Sequence, residues 1–358
     1  MNYSYRYLIT ANLFRFMRGL QLILLLLFFT TSVHANPVVN VYSWGGEIPK
    51  SLIHQFERES GIKVNFSTYD SNETMYAKLK ASRHAIYDVV LPSAYFIERM
   101  RKQDMLQPLD QQQLPNIKNL DERFINNDYD KGNHYSIPII WGATGIFFNH
   151  HALPTLPKRW SELWAPQWRN QLMLLDDSRE LFAMALISLG FEPNDTNPEH
   201  IKMAYKHLIQ LVPNIKLFAS DSIQAIMIDE DAIIGAAWNG DTFKAHTENK
   251  DIDFVYPEDG FVIWVDCLAI PKNPPHLREA LQFINFMLTA EASAQIALKE
   301  GHAITNARGK ALLPLAMRNN PMIYPSEEVM KRGQFQRDVG EETLMLYNHY
   351  WEQLKLAF

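Results

Sequence analysis

VVNVYSWGGEIPKSLIHQFERESGIKVNFSTY, residues 38–69, sets the fold class. Its first seven residues are β-branched and aromatic, the composition of a buried strand ending at Trp44. Pro49 then opens a segment in which Leu52, Ile53 and Phe56 share one helical face, and Gly61 stops it. IKVNFSTY, 62–69, reads as a second strand. Two strands joined by a helical crossover form the unit of a parallel α/β sheet.

The pattern continues outward. Asp70 with Glu73 predicts a capping box for a helix running through Leu79. AIYDVVLPS (85–93) reads as a third strand and YFIERMRKQ (95–103) as a short helix. A connection rich in proline and asparagine covers 108–133. YSIPIIWGATGIFFN (135–149) is apolar and long for one strand. QLMLLDDSRELFAMALISLG (171–190) is a strand running into a helix, and HIKMAYKHLIQLVP (200–213) is an amphipathic helix. DAIIGAAWNGDTFKAH (231–246) gives a strand, a turn and a helix start. IDFVYP (252–257) and FVIWVDCLAIP (261–271) read as strands, and REALQFINFMLTAEASAQIAL (278–298) and the C-terminal tail as helices. The whole is consistent with two α/β lobes, with segments 135–149 and 260–271 as candidates to pass between them.

The bulk composition narrows the function classes. A chain of 358 residues has room for two or three domains. Its one cysteine, Cys267, rules out an intramolecular disulfide and a cysteine-built metal cluster. A net charge of -6 argues against a broad nucleic-acid surface. At the N-terminus, Arg6, Arg15 and Arg18 precede LILLLLFF (22–29), polar TTS and then VHA. That order is a secretory signal over 1–35, cut after Ala35. Its loss removes three arginines and no acids, leaving a mature chain near -9. There is no GxGxxG, P-loop or HExxH, and His150 and His151 are adjacent in a loop-like stretch. No cofactor, metal site or catalytic group is expected.

One charge stands out. In GFVIWVDCLAI (260–270), Asp266 lies in an apolar run, where a carboxylate is costly unless paired. Trp264, two residues earlier, shares its face in a regular strand. Asp177 and Glu180 sit at a strand-to-helix corner, where a capping box explains both as well as a site does. Trp44, Tyr95 and Trp238 also fall at or just beyond strand ends. Singly each is an ordinary core residue. Together, aromatic faces and carboxylates suit a ligand with an apolar stem and positive ends. An exported glycoside hydrolase using Asp177 and Glu180 is the competing enzymatic reading, and no nucleophile or positioned water stands out for it.

These residues carry a resemblance. STYDSNETMYAKLK (67–80), YDVVLPSAYFIERMRKQDM (87–105), YSIPIIWGATGIFFN, LLDDSREL (174–181), WNGDTF (238–243), WVDCLAIP (264–271) and QRDVG (336–340) occur in order over nearly the whole mature chain. They resemble the spermidine/putrescine-binding periplasmic proteins of polyamine ABC transporters. The resemblance implies a class II periplasmic-binding-protein fold, two α/β lobes around a central cleft. It places 36–144 plus 267–311 in the first lobe and 145–266 plus 312–358 in the second. It implies a monomer without enzymatic activity or nucleic-acid partner. Such a receptor would work in the periplasm of a Gram-negative bacterium and deliver spermidine or putrescine to an inner-membrane permease; the alternative is a binding protein of the same fold for another cationic or small solute.

Carried over residue by residue, the resemblance assigns aromatic walls to Trp44, Tyr95, Trp238 and Trp264 and a polar contact to Ser93. It gives ammonium-binding carboxylates to Asp177, Glu180 and Asp266, and an amide contact to Gln336. The chain departs from the pattern at two places. Where the family shows W-T-E-Y, Trp44 is followed by Gly45, Gly46 and Glu47, so Glu47 stands in place of a tyrosine. Glu47 is read equally as an added ligand carboxylate and as a solvent-facing cap. His302 also replaces a tyrosine; neutral it donates a hydrogen bond, protonated it repels a cation, which predicts weaker binding at acidic pH.

Overall fold

The computed structural model describes residues 36–358, apart from Arg83 and Pro154; the predicted signal segment lies outside the described residues. The opening unit forms as expected: β1 is Val38–Trp44, α1 Lys50–Ser60 and β2 Lys63–Tyr69. Leu52, Ile53 and Phe56 are the buried face of α1, and Gly61 ends it in the left-handed conformation at φ 72°. Next come α2 (Asn72–Ala81), β3 (Val89–Val90), α3 (Ala94–Lys102) and the long β4 (Ser136–Asn149). They are followed by β5 (Leu172–Leu175), α4 (Ser178–Ser188), α5 (Pro198–Leu211), β6 (Ile215–Ala219) and α6 (Ile223–Ile228). Then come β7 (Ile234–Trp238), α7 (Asn239–Glu248), β8 (Ile252–Val255) and β9 (Phe261–Ala269). The chain closes through α8 (Leu277–Met287), α9 (Ala290–Glu300), β10 (Ala303–Ile304), β11 (Gly333–Phe335) and a C-terminal helix, Glu341–Ala357.

The sheet runs β2-β1-β3-β9-β4-β7-β5-β6. β1, β2 and β3 are mutually parallel, as are β5, β6 and β7. β9 and β4 join the two sets antiparallel. β4 is long because it serves both: Ser136–Ala143 pairs with β9, and Thr144–Asn149 with β7 and β8. The sheet curls into two lobes around a cleft, the class II architecture expected. All residues of β4 and β9 are buried, which explains why their sequences run apolar without alternation.

Two apolar clusters hold the lobes. Val39, Val41, Leu52, Phe56, Phe283, Ile284 and Ile296 pack α1, α8 and α9 on β1. Leu172, Leu174, Phe182, Leu208, Tyr347 and Leu354 pack α4, α5 and the C-terminal helix on β5.

Three local expectations are corrected. The cap of α2 is Ser71, whose side chain accepts from the Thr74 N–H, one residue beyond the predicted Asp70 box. The third strand contracts to Val89–Val90, because Pro92 and the cap of α3 at Ser93 follow at once. The helix predicted over 278–298 is two helices, broken where Thr289 takes an extended backbone and caps α9 through the Ala292 N–H.

Candidate functional site

The carboxyl ends of the parallel strands open on one cavity of about 1390 Å³. Trp44 ends β1, Trp238 ends β7, Asp177 follows β5 and Ser93 follows β3. All eleven residues singled out in the sequence line this cavity: Trp44, Glu47, Ser93, Tyr95, Asp177, Glu180, Trp238, Trp264, Asp266, His302 and Gln336. Among the described lining residues eleven are aspartate or glutamate and two are lysine. Lys244 pairs with Glu300 at 3.4 Å and Lys355 with Asp176 at 3.0 Å, so both lysines are paired with acids that line the same cavity. The cavity is built for a cation.

Asp266 anchors one end. β9 lies beside β4, with Ile140 opposite Asp266 and Gly142 opposite Trp264. A side chain at Gly142 would put its Cβ 2.2 Å from Cζ2 of Trp264, so the indole fills the space the glycine leaves. Ser93 Oγ donates to Asp266 Oδ1 at 2.6 Å. Asn72 Nδ2 donates to Ser93 Oγ at 3.0 Å and to the Tyr95 hydroxyl at 3.1 Å, fixing that serine. Burial raises the Asp266 carboxyl to about 6, against the pull of Ser93 and Glu47.

Glu47 is buried beside it and does not cap α1 through its side chain, so the solvent-facing reading is overturned. Burial first, then the charge of Asp266, push its carboxyl well above the ordinary range. Glu47 therefore holds its proton to higher pH than a free carboxyl. Its Oε2 has no hydrogen-bond partner among the described residues. Burial also holds His302 below the usual imidazole value, despite Asp241 and Glu300. Burial therefore moves any protonation of His302 to more acidic pH than the sequence reading supposed.

The other end gathers on the first turn of α4. Asp177 accepts from the Arg179 N–H at 2.8 Å and the Glu180 N–H at 3.0 Å, so half of the capping box forms. Glu180 does not close it. Its Oε1 accepts instead from Nε2 of Gln336 at 2.9 Å, and its Oε2 is buried without a partner among the described residues. Burial, then the charge of Asp177, raise Glu180 to about 8. Arg179 lies behind this end, stacked over Tyr95 at 5.3 Å and Tyr347 at 5.5 Å.

Sequence reasoning missed Asn72, Glu73, Asp241 and Gly142. Glu73 lines the cavity from the first turn of α2, and burial with the charge of Asp177 raises it to about 7. The signal existed: a helix whose start faces a cleft presents its first-turn side chains there, the same logic that found Glu180.

A two-lobed α/β molecule with an acidic, aromatic-walled cleft at its strand ends defines the class of solute-binding proteins. The chain belongs to the bacterial extracellular solute-binding protein family, whose model matches residues 51–314. It is 40% identical over 328 residues to the spermidine/putrescine-binding periplasmic protein of Escherichia coli strain K12, covering 91% of this chain and 94% of that one. It is 40% identical over 325 residues to spermidine/putrescine-binding periplasmic protein 1 of Haemophilus influenzae, covering 90% of each. A solved structure described as a putative spermidine/putrescine ABC transporter from Listeria monocytogenes superposes with a TM-score of 0.87 at 36% identity, over 90% of this chain and 99% of that one.

Proposed function

We propose that the protein is a periplasmic polyamine receptor that captures spermidine or putrescine and delivers it to an inner-membrane ABC permease. It carries out no chemical turnover. The observation that carries this reading is the acidity of the cleft: eleven aspartates and glutamates line it, and its two lysines are already paired with acids of the cavity. A methylene chain lies between Trp44, Tyr95, Trp238 and Trp264, whose faces cover apolar carbon and attract ammonium. One ammonium meets Asp266 with Ser93 and Glu47. Another meets Asp177 and Glu180, with Gln336 holding the glutamate. Spermidine is the first choice of ligand and putrescine the second. The lobes divide as 36–144 plus 267–311 and 145–266 plus 312–358, the receptor acts as a monomer, and closure of the two lobes presents the loaded face to the permease.

The glycoside-hydrolase alternative fares worse on geometry. Asp177 and Glu180 share one helical turn, and Asp177 spends an oxygen on two backbone N–H groups. A hydrolytic pair instead flanks the scissile bond. The test is calorimetric titration of the ligand-stripped mature protein with spermidine, putrescine and cadaverine. Saturable heat and thermal stabilisation are expected with spermidine. No heat and no stabilisation with any polyamine would overturn the reading.

A further inference from the structure

At the far end of β4, away from the strand ends that form the cleft, the chain brings together groups the sequence keeps apart. Asn149 is paired with Ile252 across the β4–β8 ladder, and the His150 N–H donates to the Asp251 carbonyl at 2.8 Å. His150 and Asp251 are therefore cross-strand neighbours, and Asp253 shares the face of Asp251 by the two-residue alternation of a strand. Each strand end is turned by an asparagine. Asn149 Oδ1 accepts from the N–H groups of His151 and Ala152, at 3.0 and 3.2 Å. Asn249 Oδ1 accepts from the Asp251 N–H at 3.0 Å.

The first turn cancels the alternation that would send adjacent histidines to opposite faces. The two imidazole rings lie with centroids 4.8 Å apart, and this reverses the sequence argument against a joint site. Nε2 of His151 is 3.2 Å from Asp251 Oδ1, and Nε2 of His150 is 3.8 Å from the same oxygen. One donor atom from each of His150, His151 and Asp251 falls within 4.8 Å of the others. On its other side His150 places Nδ1 3.0 Å from Asp253 Oδ2. A proton on Nδ1 shared with that carboxylate leaves Nε2 as a bare lone pair facing Asp251. This is how a carboxylate orients a metal-ligating histidine. Asp253 is itself flanked by His246, 3.9 Å away.

We propose that His150, His151 and Asp251 form a surface site for a borderline divalent cation such as Zn2+, with Asp253 orienting His150. Two imidazoles and one carboxylate are the donors such ions take, and three protein ligands leave a coordination position for water or a partner's side chain. Hard ions that prefer all-oxygen shells fit this donor set poorly. The site is separate from the polyamine cleft and does not depend on its ligand.

The test titrates the metal-stripped mature protein with Zn2+, and with Co2+ as a spectroscopic probe. One saturable Zn2+ equivalent is expected, with Co2+ giving the visible bands of nitrogen ligation. His151→Ala and Asp251→Asn should each abolish it, and Asp253→Asn should weaken it about tenfold or more. His151 is largely exposed, so its loss leaves the fold intact, and unchanged spermidine binding by that variant checks this. Asp266→Asn should keep full Zn2+ binding. Absence of saturable binding, or binding that survives both His151→Ala and Asp251→Asn, would overturn the proposal. Binding lost in Asp266→Asn would assign the metal to the cleft instead.

Discussion

The two ends of the cleft hold carboxylates by different means. At the Asp266 end, burial is opposed by the Ser93 hydroxyl and by the neighbouring Glu47. At the Asp177 and Glu180 end, backbone N–H groups serve Asp177 and the Gln336 amide serves Glu180, yet burial and the charge of Asp177 leave Glu180 higher, at about 8. The contrast teaches that equal formal charge need not give equal attraction. A carboxyl near 6 meets an incoming ammonium already ionised at neutral pH, whereas one raised to about 8 must first give up its proton.

That contrast can be broken by substitution. Asp266→Asn should lose about 2–5 kcal/mol of polyamine binding, because it removes a buried charge partner. Glu180→Gln should lose less, about 1.5–3 kcal/mol, the range for a charged hydrogen bond. Calorimetry on both variants with unchanged circular dichroism checks the order, and equal losses would dissolve the distinction. Gly142→Ala should cost about 1–3 kcal/mol of stability by overpacking against Trp264 and should weaken binding with it. Denaturant unfolding of the free protein measures the first effect, and an unchanged midpoint would show that Trp264 moves aside freely.

The pH dependence gives a smaller effect with a definite sign. Asp266, raised to about 6, Glu180, raised to about 8, and Glu47 hold protons more tightly in the folded state than in the unfolded one. Their contribution to the stability of the free protein is therefore complete below the unfolded carboxyl value, about 4, and is lost as pH rises through the folded values. A bound polyamine favours the ionised forms, so affinity should rise over the same window and capture should release protons. The melting temperature of the free protein and the spermidine-induced shift should accordingly move in opposite directions between pH 5 and pH 8. Glu47→Gln should reduce the proton release, read from binding heats in buffers of different ionisation enthalpy. The smallest effect belongs to His302→Gln. Burial disfavours the His302 imidazolium, so the acid-side loss of affinity should persist in that variant, and its disappearance would return the switch to the histidine.

Much of this was legible in the chain. Asp266 announced itself as a charge in a strand buried on both faces, and Trp264 lay on its side by simple alternation. Gln336, Ser93 and His302 were singled out through resemblance, not through periodicity. Glu73 was mistaken for a cap, although Ser71 does the capping, because a first-turn acid looks the same whether its helix begins over solvent or over a cleft. Glu47 could not be placed, since the two glycines before it leave its direction to tertiary packing.

The sequence by itself determined the alternating strands and helices, the apolar runs of β4 and β9, and the kinds of side chain at the strand ends. These follow from local periods and turn residues, which act over a few positions. Only the tertiary structure decided which distant groups meet: Glu180 with Gln336, Glu47 with Asp266, and His151 with Asp251. Such meetings depend on the curl of the sheet and on single turns such as that at Asn149. No local period encodes them, because the partners lie up to 219 positions apart.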